Sequence, residues 1–391
     1  MLSVDEALAR VLALITPLAA EPVPLVRAAG RVLALDAVAS RDQPPFAASA
    51  MDGYAVRSND AKPGATLRLI GAAGAGHAFA GTVHPGETLR IFTGAPLPAG
   101  ADRVVIQEDV TADGDRITLG QTLDIGYNVR PAGSDFHAGA RLAAPRRLTS
   151  HDVALLASMN LPAIQATRKP VVAFIATGDE LVMPGEAPRP DQIIASNTFA
   201  LAAMAEAEGA EARMLPIARD TEASLRTVLG LAAGADLIVT IGGASVGDHD
   251  LVAQVAESLG MERAFYKIAM RPGKPLMAGR LGGVPMLGLP GNPVSSIVCG
   301  HLFLLPAIRA LLGLTDVAPR MRRAILTTPV AANGPRTHYM RARLDGAGGI
   351  AAFERQDSSL LSVLSEANAL LCRPAGDGAL PIGAEVRHLA L

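Results

Sequence analysis

The sequence predicts a multidomain α/β and β protein. A central α/β domain on a mainly parallel sheet is joined by a β-rich domain, a helical N-terminal and linker domain, and a small C-terminal β-domain. Three observations carry that reading. At 391 residues the chain exceeds one ordinary domain, and half its residues are apolar, enough for several cores. Residues 169–312 alternate apolar runs with helix-like segments, the rhythm of a parallel sheet covered on both faces. Residues 41–139 hold short apolar runs cut by glycine and proline, the spacing of a β-rich unit with many turns.

Residues 1–40 together with 140–168 form the predicted helical and linker domain. MLSVDEALARVLALI reads as an amphipathic helix, with Ser3 as N-cap and Asp5 and Glu6 favourable in its first turn; Pro22 and Pro24 are breakers before a short strand. In 41–139 the runs YAVRS, TLRLIG, TLRIFTG, RVVIQEDV and RITLG are strands, and HDVALLASMN near 148–168 is a further helix. The α/β domain, 169–312, reads VVAFIA (strand), SNTFALAAMAEAEG (helix, capped by Ser196 or Asn197), RMLPIA (strand), TEASLRTVLGLAA (helix), DLIVTIG (strand) and DHDLVAQVAESLG (helix). Strands near AFYKIAM and PMLGL and a long helix from Pro293 follow, and RAILTTPV, HYMRARL and EVRHLAL fill the β-domain at 313–391.

The net charge is −2 with no basic block, which argues against nucleic acid as a partner. Cys299 and Cys372 sit in apolar runs and read as buried thiols in a reducing compartment. The N-terminus lacks a signal-peptide pattern, and the longest apolar run, Ile297 to Leu305, ends at Pro306 and is too short to span a membrane. These features predict a soluble, cytoplasmic protein.

The chemistry concentrates between Thr240 and Ser296. Lys267, Arg271 and Lys274 stand within one eight-residue window, in a loop stiffened by proline and glycine. Upstream lies TIGGASVGDHD, where Gly242 and Gly243 allow a sharp turn after a strand and Asp248 and Asp250 stand near a helix start. In LPGNPVSS, Asn292 reads as an N-cap and Pro293 as the first helical residue. Cations, backbone N–H groups and carboxylates so close together suggest a phosphate-like or oxyanion ligand with a metal ion. Asp179 and Glu180 of TGDEL follow the first α/β strand and suit Mg²⁺ or a capped turn; Asp220 follows RMLPIA in the same manner. Ligands of parallel sheets gather at the carboxyl ends of strands, where all these motifs fall. Asp52-Gly53 reads either as a turn or as part of a functional loop, and Thr93, Arg130 and Asp135 lie in exposed loops. The histidines show no zinc spacing, and no Ser/His/Asp arrangement is legible.

Taken in order, MDGYAVR, IFTGAPLP, NVRPAGSD, ATGDEL, TIGGASVGDHD, MRPGKP and LPGNPVSS resemble the molybdopterin molybdotransferase family, of the bacterial MoeA type and the gephyrin E domain. The resemblance implies four domains in an elongated subunit, and a homodimer whose cleft lies between the α/β domain of one copy and the β-rich domain of the other. It implies insertion of molybdate into adenylylated molybdopterin, with Mg²⁺, to give molybdenum cofactor and AMP. It also implies contact with the upstream adenylyltransferase and with molybdoenzyme chaperones. On it, Asp52, Thr93, Arg130 and Asp135 match the β-rich face of the cleft. Glu180, Asp220 and Asp250 match the acidic, metal-holding positions, Lys267, Arg271 and Lys274 the basic loop, and Pro290 and Pro293 the proline turn. Asp52, Glu180, Asp220, Asp250, Lys267 and Arg271 are the expected catalytic set. Thr93, Arg130, Asp135, Gly242, Gly243, Ser245, Lys274, Pro290, Asn292 and Pro293 are expected to bind substrate.

Two departures stand out. Arg271 replaces a frequent lysine, turning a point-like ammonium into a planar fork. The C-terminal region matches only at SSLLSVLSEANAL, so no role carries over to Ser358, Ser359 or Ser362. Dithiolene sulfurs that displace oxygen from molybdenum need no protein nucleophile, in keeping with the absence of a legible one. Two rivals remain at this level. Adenylylation of molybdopterin uses a similar α/β domain but not the MDGYA region, and a non-catalytic scaffold would show no turnover.

Overall fold

A computed structural model describes residues 1–243 and 251–391. The N-terminal helix, Val4–Ala13, starts as its sequence dictates: the Ser3 hydroxyl accepts from the Glu6 N–H while the Glu6 carboxylate accepts from the Ser3 N–H, a reciprocal capping box. Val4, Ala7 and Val11 bury one face, at the i, i+3/i+4 spacing of a helix. That face packs into the same core as the α/β strands. The expectation of a helical unit over 1–40 and 140–168 holds only for this helix and Ser150–Ser158. Elsewhere these segments form a four-stranded antiparallel sheet, in which Ala20–Pro24 pairs with Ala163–Thr167 and Val32–Leu33 with Arg146–Arg147. The prolines at 22 and 24 are tolerated because that strand has a neighbour on one side only.

In the β-rich region, a six-stranded sheet runs in the spatial order Arg103–Ile106, Gly53–Val56, Glu87–Ile91, Thr66–Ala73, Arg116–Leu119, Val110–Asp113. Asp52-Gly53 opens a strand here rather than a hairpin turn. A Cβ on Gly53 would sit 2.1 Å from the Val105 carbonyl oxygen, so only glycine lets these two strands approach.

The sheet of the α/β region runs Glu211–Met214, Val171–Ala176, Leu237–Ile241, Val284–Leu289, Met277–Leu281, Glu262–Tyr266. The first four strands are parallel, and Met277–Leu281 runs antiparallel to both its neighbours, Val284–Leu289 and Glu262–Tyr266. Leu237–Ile241 is buried along its whole length, as expected of a central strand covered on both faces. The helix from Pro293 continues past Pro306, because a π-helical turn at Gly300–Leu304 absorbs the missing proline N–H before Leu305–Leu311 resumes. Pro293–Leu311 is long and apolar enough to cross a membrane, but it is 72% buried and its side chains form the α/β core. The C-terminal six-stranded sheet holds Thr337–Leu344 beside Ala369–Arg373, and its edge strand Met270–Arg271 is lent by the basic loop.

Candidate active site

At the carboxyl ends of the parallel strands lies a cavity of about 980 Å³. Four of its lining segments are turns that follow strands: Thr177 and Glu180 after Val171–Ala176, Asp220 beyond Glu211–Met214, Gly242 and Gly243 after Leu237–Ile241, and Pro290 to Pro293 after Val284–Leu289. Glu180 and Asp220 are brought together by stitching between their loops. Gly178 N–H donates to the Ala218 carbonyl at 3.1 Å, Asp220 N–H donates to the Asp179 carboxylate at 3.1 Å, and Arg219 reaches the carbonyls of Asp179 and Leu181 at 3.2 and 3.1 Å. Gly242 has φ +96°, and a Cβ there would lie 2.6 Å from the Thr177 carbonyl oxygen. The diglycine thus turns the chain against the neighbouring loop with no side chain in between.

Asn292 and Pro293 occupy the N-cap and first-helical positions. The Asn292 side chain makes no cap; it donates to the Ser358 hydroxyl at 3.1 Å, and Val294 N–H donates to the Ser358 carbonyl at 3.0 Å. These bonds bring a segment of the C-terminal region into the wall, and Ser359 lines the cavity. Asp357 organises that segment. Its carboxylate accepts from Ser359 Oγ at 2.6 Å and Ser359 N–H at 2.8 Å, and these bonds hold it below the usual carboxylate range.

On the far side of the segment is a dense group of cations. Arg341, fully buried, donates through Nη2 to the Asp357 carbonyl at 2.9 Å and to the Arg355 carbonyl at 3.3 Å. Its Nε and Nη1 find no partner among the described residues, nor does Nε2 of buried His338. Burial first, then the fields of Arg271, Arg341, Arg336 and Arg373, push His338 down to about 4. Burial and Arg271 also lower Arg341, against the opposing pull of Asp357. Arg271 is therefore close enough to both to be felt, and it is paired in register with His338 across adjacent strands. A guanidinium stripped of water with two idle N–H groups is costly unless an anion arrives.

The other two cations of the loop lie on the Glu262–Leu281 hairpin. Lys267 is held with φ +67° and its ammonium stands 4.7 Å from the Tyr266 ring centre. The Lys274 carbonyl accepts from Ile268 N–H at 3.0 Å. None of the three cations lines the cavity, but Pro275 does.

The β-rich candidates stand elsewhere on the chain. Asp52 Oδ1 accepts from Thr93 N–H and Oγ1, both at 2.7 Å, and these bonds, with Arg90 nearby, lower the carboxyl below its ordinary range. Arg90 is stacked 4.9 Å from Tyr54 and 5.0 Å from Phe92. Arg130 pairs with Ala48 across a short ladder, and Asp135 N–H donates to the Gln43 carbonyl at 2.9 Å. None of Asp52, Thr93, Arg130 or Asp135 lines the cavity. Ser245 and Asp250 lie outside the described residues.

Comparison with known proteins bears on this arrangement. The MoeA N-terminal region (domain I and II) matches residues 2–160, a probable molybdopterin binding domain matches 173–310, and the MoeA C-terminal region (domain IV) matches 323–391. A molybdopterin molybdenumtransferase of Nostoc sp. is 36% identical over 386 residues, covering 95% of this chain and 88% of its own. Molybdopterin molybdenumtransferase 2 of Mycobacterium tuberculosis is 36% identical over 368 residues, 90% of each chain. The crystal structure of a molybdopterin biosynthesis MoeA protein from Pyrococcus horikoshii superposes with a TM-score of 0.88 at 31% identity, covering 100% of this chain and 99% of that one. The chain belongs to the MoeA family of molybdopterin molybdenumtransferases.

Within this MoeA-family chain, the described part of the cavity also tests its fitness for a divalent cation. Among the described residues there is no cluster of three or more metal-ligating side chains. Glu180 and Asp220 are two hard carboxylates on adjoining loops. Mg²⁺ asks for little more, since it usually takes one or two carboxylates, several waters and substrate phosphate oxygens. The donor set fits. Sequence reasoning passed over Thr177, Ser196, Asn197 and Ser295 in the lining, and declined Ser359. It also missed Arg341 and His338, whose only signal was charge inside the apolar alternation of HYMRARL.

Proposed function

We propose that this molybdotransferase inserts molybdate into adenylylated molybdopterin, releasing AMP and molybdenum cofactor, in the cytoplasm. One observation carries the reading: a roomy cavity with carboxylates on one wall is walled on another side by Ser359, and behind that segment lies a buried cationic cluster whose Arg341 has Nε and Nη1 without partners among the described residues. An oxyanion substrate and a phosphoanhydride need those two environments side by side.

Arg341 offers Nε and Nη1 to molybdate oxygens from a site without water, where such bonds are strongest. Arg271 adds charge at the exposed rim, and Lys267 and Lys274 extend the positive field along the hairpin. His338, neutral, neither repels the arginines nor cancels them. Ser359, fixed by Asp357, stands between the cluster and the cavity. Glu180 and Asp220, with Asp250, would hold Mg²⁺, which when bound polarises the phosphoanhydride. Gly242, Gly243 and Ser245, with Pro290, Asn292 and Pro293, would cradle the phosphates. The dithiolene sulfurs supply the nucleophile, so the protein's work is positioning and charge neutralisation.

We place Asp52, Thr93, Arg130 and Asp135 across the same cleft from a second copy in a homodimer. Phe46, Met51 and Phe92 around them are all more than two-fifths exposed, which supports a covered face there. The reading also takes the chain as four domains, 1–40 with 140–168, 41–139, 169–312 and 313–391. The separate apolar clusters of the β-rich and C-terminal regions support that division. The upstream adenylyltransferase and molybdoenzyme chaperones remain the expected protein contacts.

The test is AMP release from adenylylated molybdopterin on adding molybdate. Wild-type protein consumes the adenylate, whereas Glu180→Gln and Asp220→Asn lose at least about a hundredfold in rate with the fold retained, the scale of a lost electrostatic contact of roughly 2.7–4 kcal/mol. Synthesis of the adenylate by the wild type, or no turnover at all, sinks the proposal in favour of an adenylyltransferase or a scaffold.

A further inference from the structure

The cavity has one wall that neither the carboxylates nor the cations explain. Directly after Glu180 the chain forms a two-stranded parallel ribbon, Leu181–Val182 against Ile193–Ile194. Ile193 and Ile194 both line the cavity, yet they are 59% and 40% exposed. Successive strand residues point to opposite faces, so the ribbon carries bare isoleucine on both. Neither side chain helps the fold much where it stands.

The backbone is equally idle. Ile193 N–H donates to the Glu180 carbonyl at 2.8 Å and Ala195 N–H to the Val182 carbonyl at 2.9 Å. The intervening Ile194 N–H and C=O therefore point away from the partner strand, and no further strand pairs there. One residue presents a donor and an acceptor side by side, with isoleucine side chains above and below their plane.

We propose that this edge reads the adenine ring of the adenylylated substrate, an inference that rests on the function proposed above. Adenine offers N1 as acceptor next to its 6-amino donor, the complement of one strand residue's N–H and C=O. A base paired there would lie in the plane of the ribbon, flanked by apolar side chains on both faces. The placement also orders the substrate. The ribbon is covalently joined to Glu180, at the phosphoanhydride, and adenine is one ribose away from that link. The dithiolene, and the pterin fused to it, would then belong towards Ser359.

The experiment is calorimetric binding of AMP, IMP and ribose 5-phosphate to the full chain. IMP has a donor at N1 and an acceptor at position 6, so it sets like against like at Ile194. Wild-type protein is expected to bind AMP at least about tenfold more tightly than IMP, a difference of roughly 1.4 kcal/mol. Ile194→Pro, which deletes the N–H and leaves both ribbon hydrogen bonds, should bring the AMP to IMP ratio within about twofold while ribose 5-phosphate binding is unchanged. Equal binding of AMP, IMP and ribose 5-phosphate by the wild type overturns base readout and leaves the proposed function standing. Failure of all three to bind, in protein that still releases AMP from the adenylate, likewise overturns base readout; absence of that release overturns the proposed function. An intact AMP preference in folded Ile194→Pro overturns the role of this residue.

Discussion

Replacing Arg341 by methionine tests the cationic cluster where its physics is clearest. The guanidinium is fully buried and, among the described residues, makes bonds only through Nη2, to the carbonyls of Asp357 and Arg355 at 2.9 and 3.3 Å. Methionine keeps an unbranched chain of similar reach and removes the charge. Two carbonyls then lose a donor, at about 1–3 kcal/mol each if they stay buried. Against this, the cost of holding a charge out of water disappears, an effect of several kcal/mol. The opposing effects nearly cancel, so the melting temperature should move by only a few degrees in either direction. Binding is different, because nothing compensates for the two lost donors. Charge-assisted bonds contribute roughly 1.5–3 kcal/mol each, so two of them are equivalent to about two to four decades of molybdate concentration. AMP release measured against molybdate reads this directly, as a shift of half-saturation. Thermal unfolding gives a second view: molybdate should raise the melting temperature of the wild type and leave Arg341→Met unmoved. An unshifted half-saturation in a folded variant would show that the idle N–H groups face no substrate.

If the proposed homodimer builds a composite cleft, mixing Asp52→Ala protein with Glu180→Ala protein should restore activity, because a mixed dimer would hold one intact site; subunit exchange without recovery would place the whole site within one chain. Acid stability should follow the buried histidines. His338 is pushed down to about 4 by burial and by Arg271, Arg341, Arg336 and Arg373, and His301 to about 4 by burial and Arg309. The unfolded chain takes up these protons near pH 6.5 while the folded one does not, so stability falls as pH drops from about 6.5 towards 4, by up to about 1.4 kcal/mol per pH unit per histidine. Denaturant unfolding at pH 7.5 and 5.0 should show a smaller acid loss in His338→Gln than in the wild type, and an unchanged loss would assign the effect elsewhere.

Much of the scaffold was legible because local chemistry and tertiary structure agree. Ser3 and Glu6 form the box that their spacing announces, and the central strands Val171–Ala176, Leu237–Ile241 and Val284–Leu289 bury the runs that mark them. The turns carrying Glu180, Asp220 and the diglycine were legible for the same reason, since each punctuates the end of an apolar strand. What was not legible depends on pairing at long range. Val32–Leu33 and Arg146–Arg147 are too short to announce a strand, and they become one only because they find each other. Arg341 stands in an alternating segment as one charge among several, and the sequence does not mark it as buried; the strand is covered on both faces at His338, Tyr339, Arg341 and Ala342. Ser359 is a wall residue only because Asn292 spends its side chain on Ser358 instead of capping its own helix.

That last bond has a consequence for biogenesis. The carboxylate loops can form as soon as the α/β sheet closes, but the cavity lacks a wall until the Ser358 segment arrives from the C-terminal region and docks on Asn292. On the proposed assignment of the cavity, an emerging chain would pass through a stage in which the carboxylate side is built and the side closed by Ser359 is open. A chain halted there would bind the adenylate without the wall needed to complete the reaction.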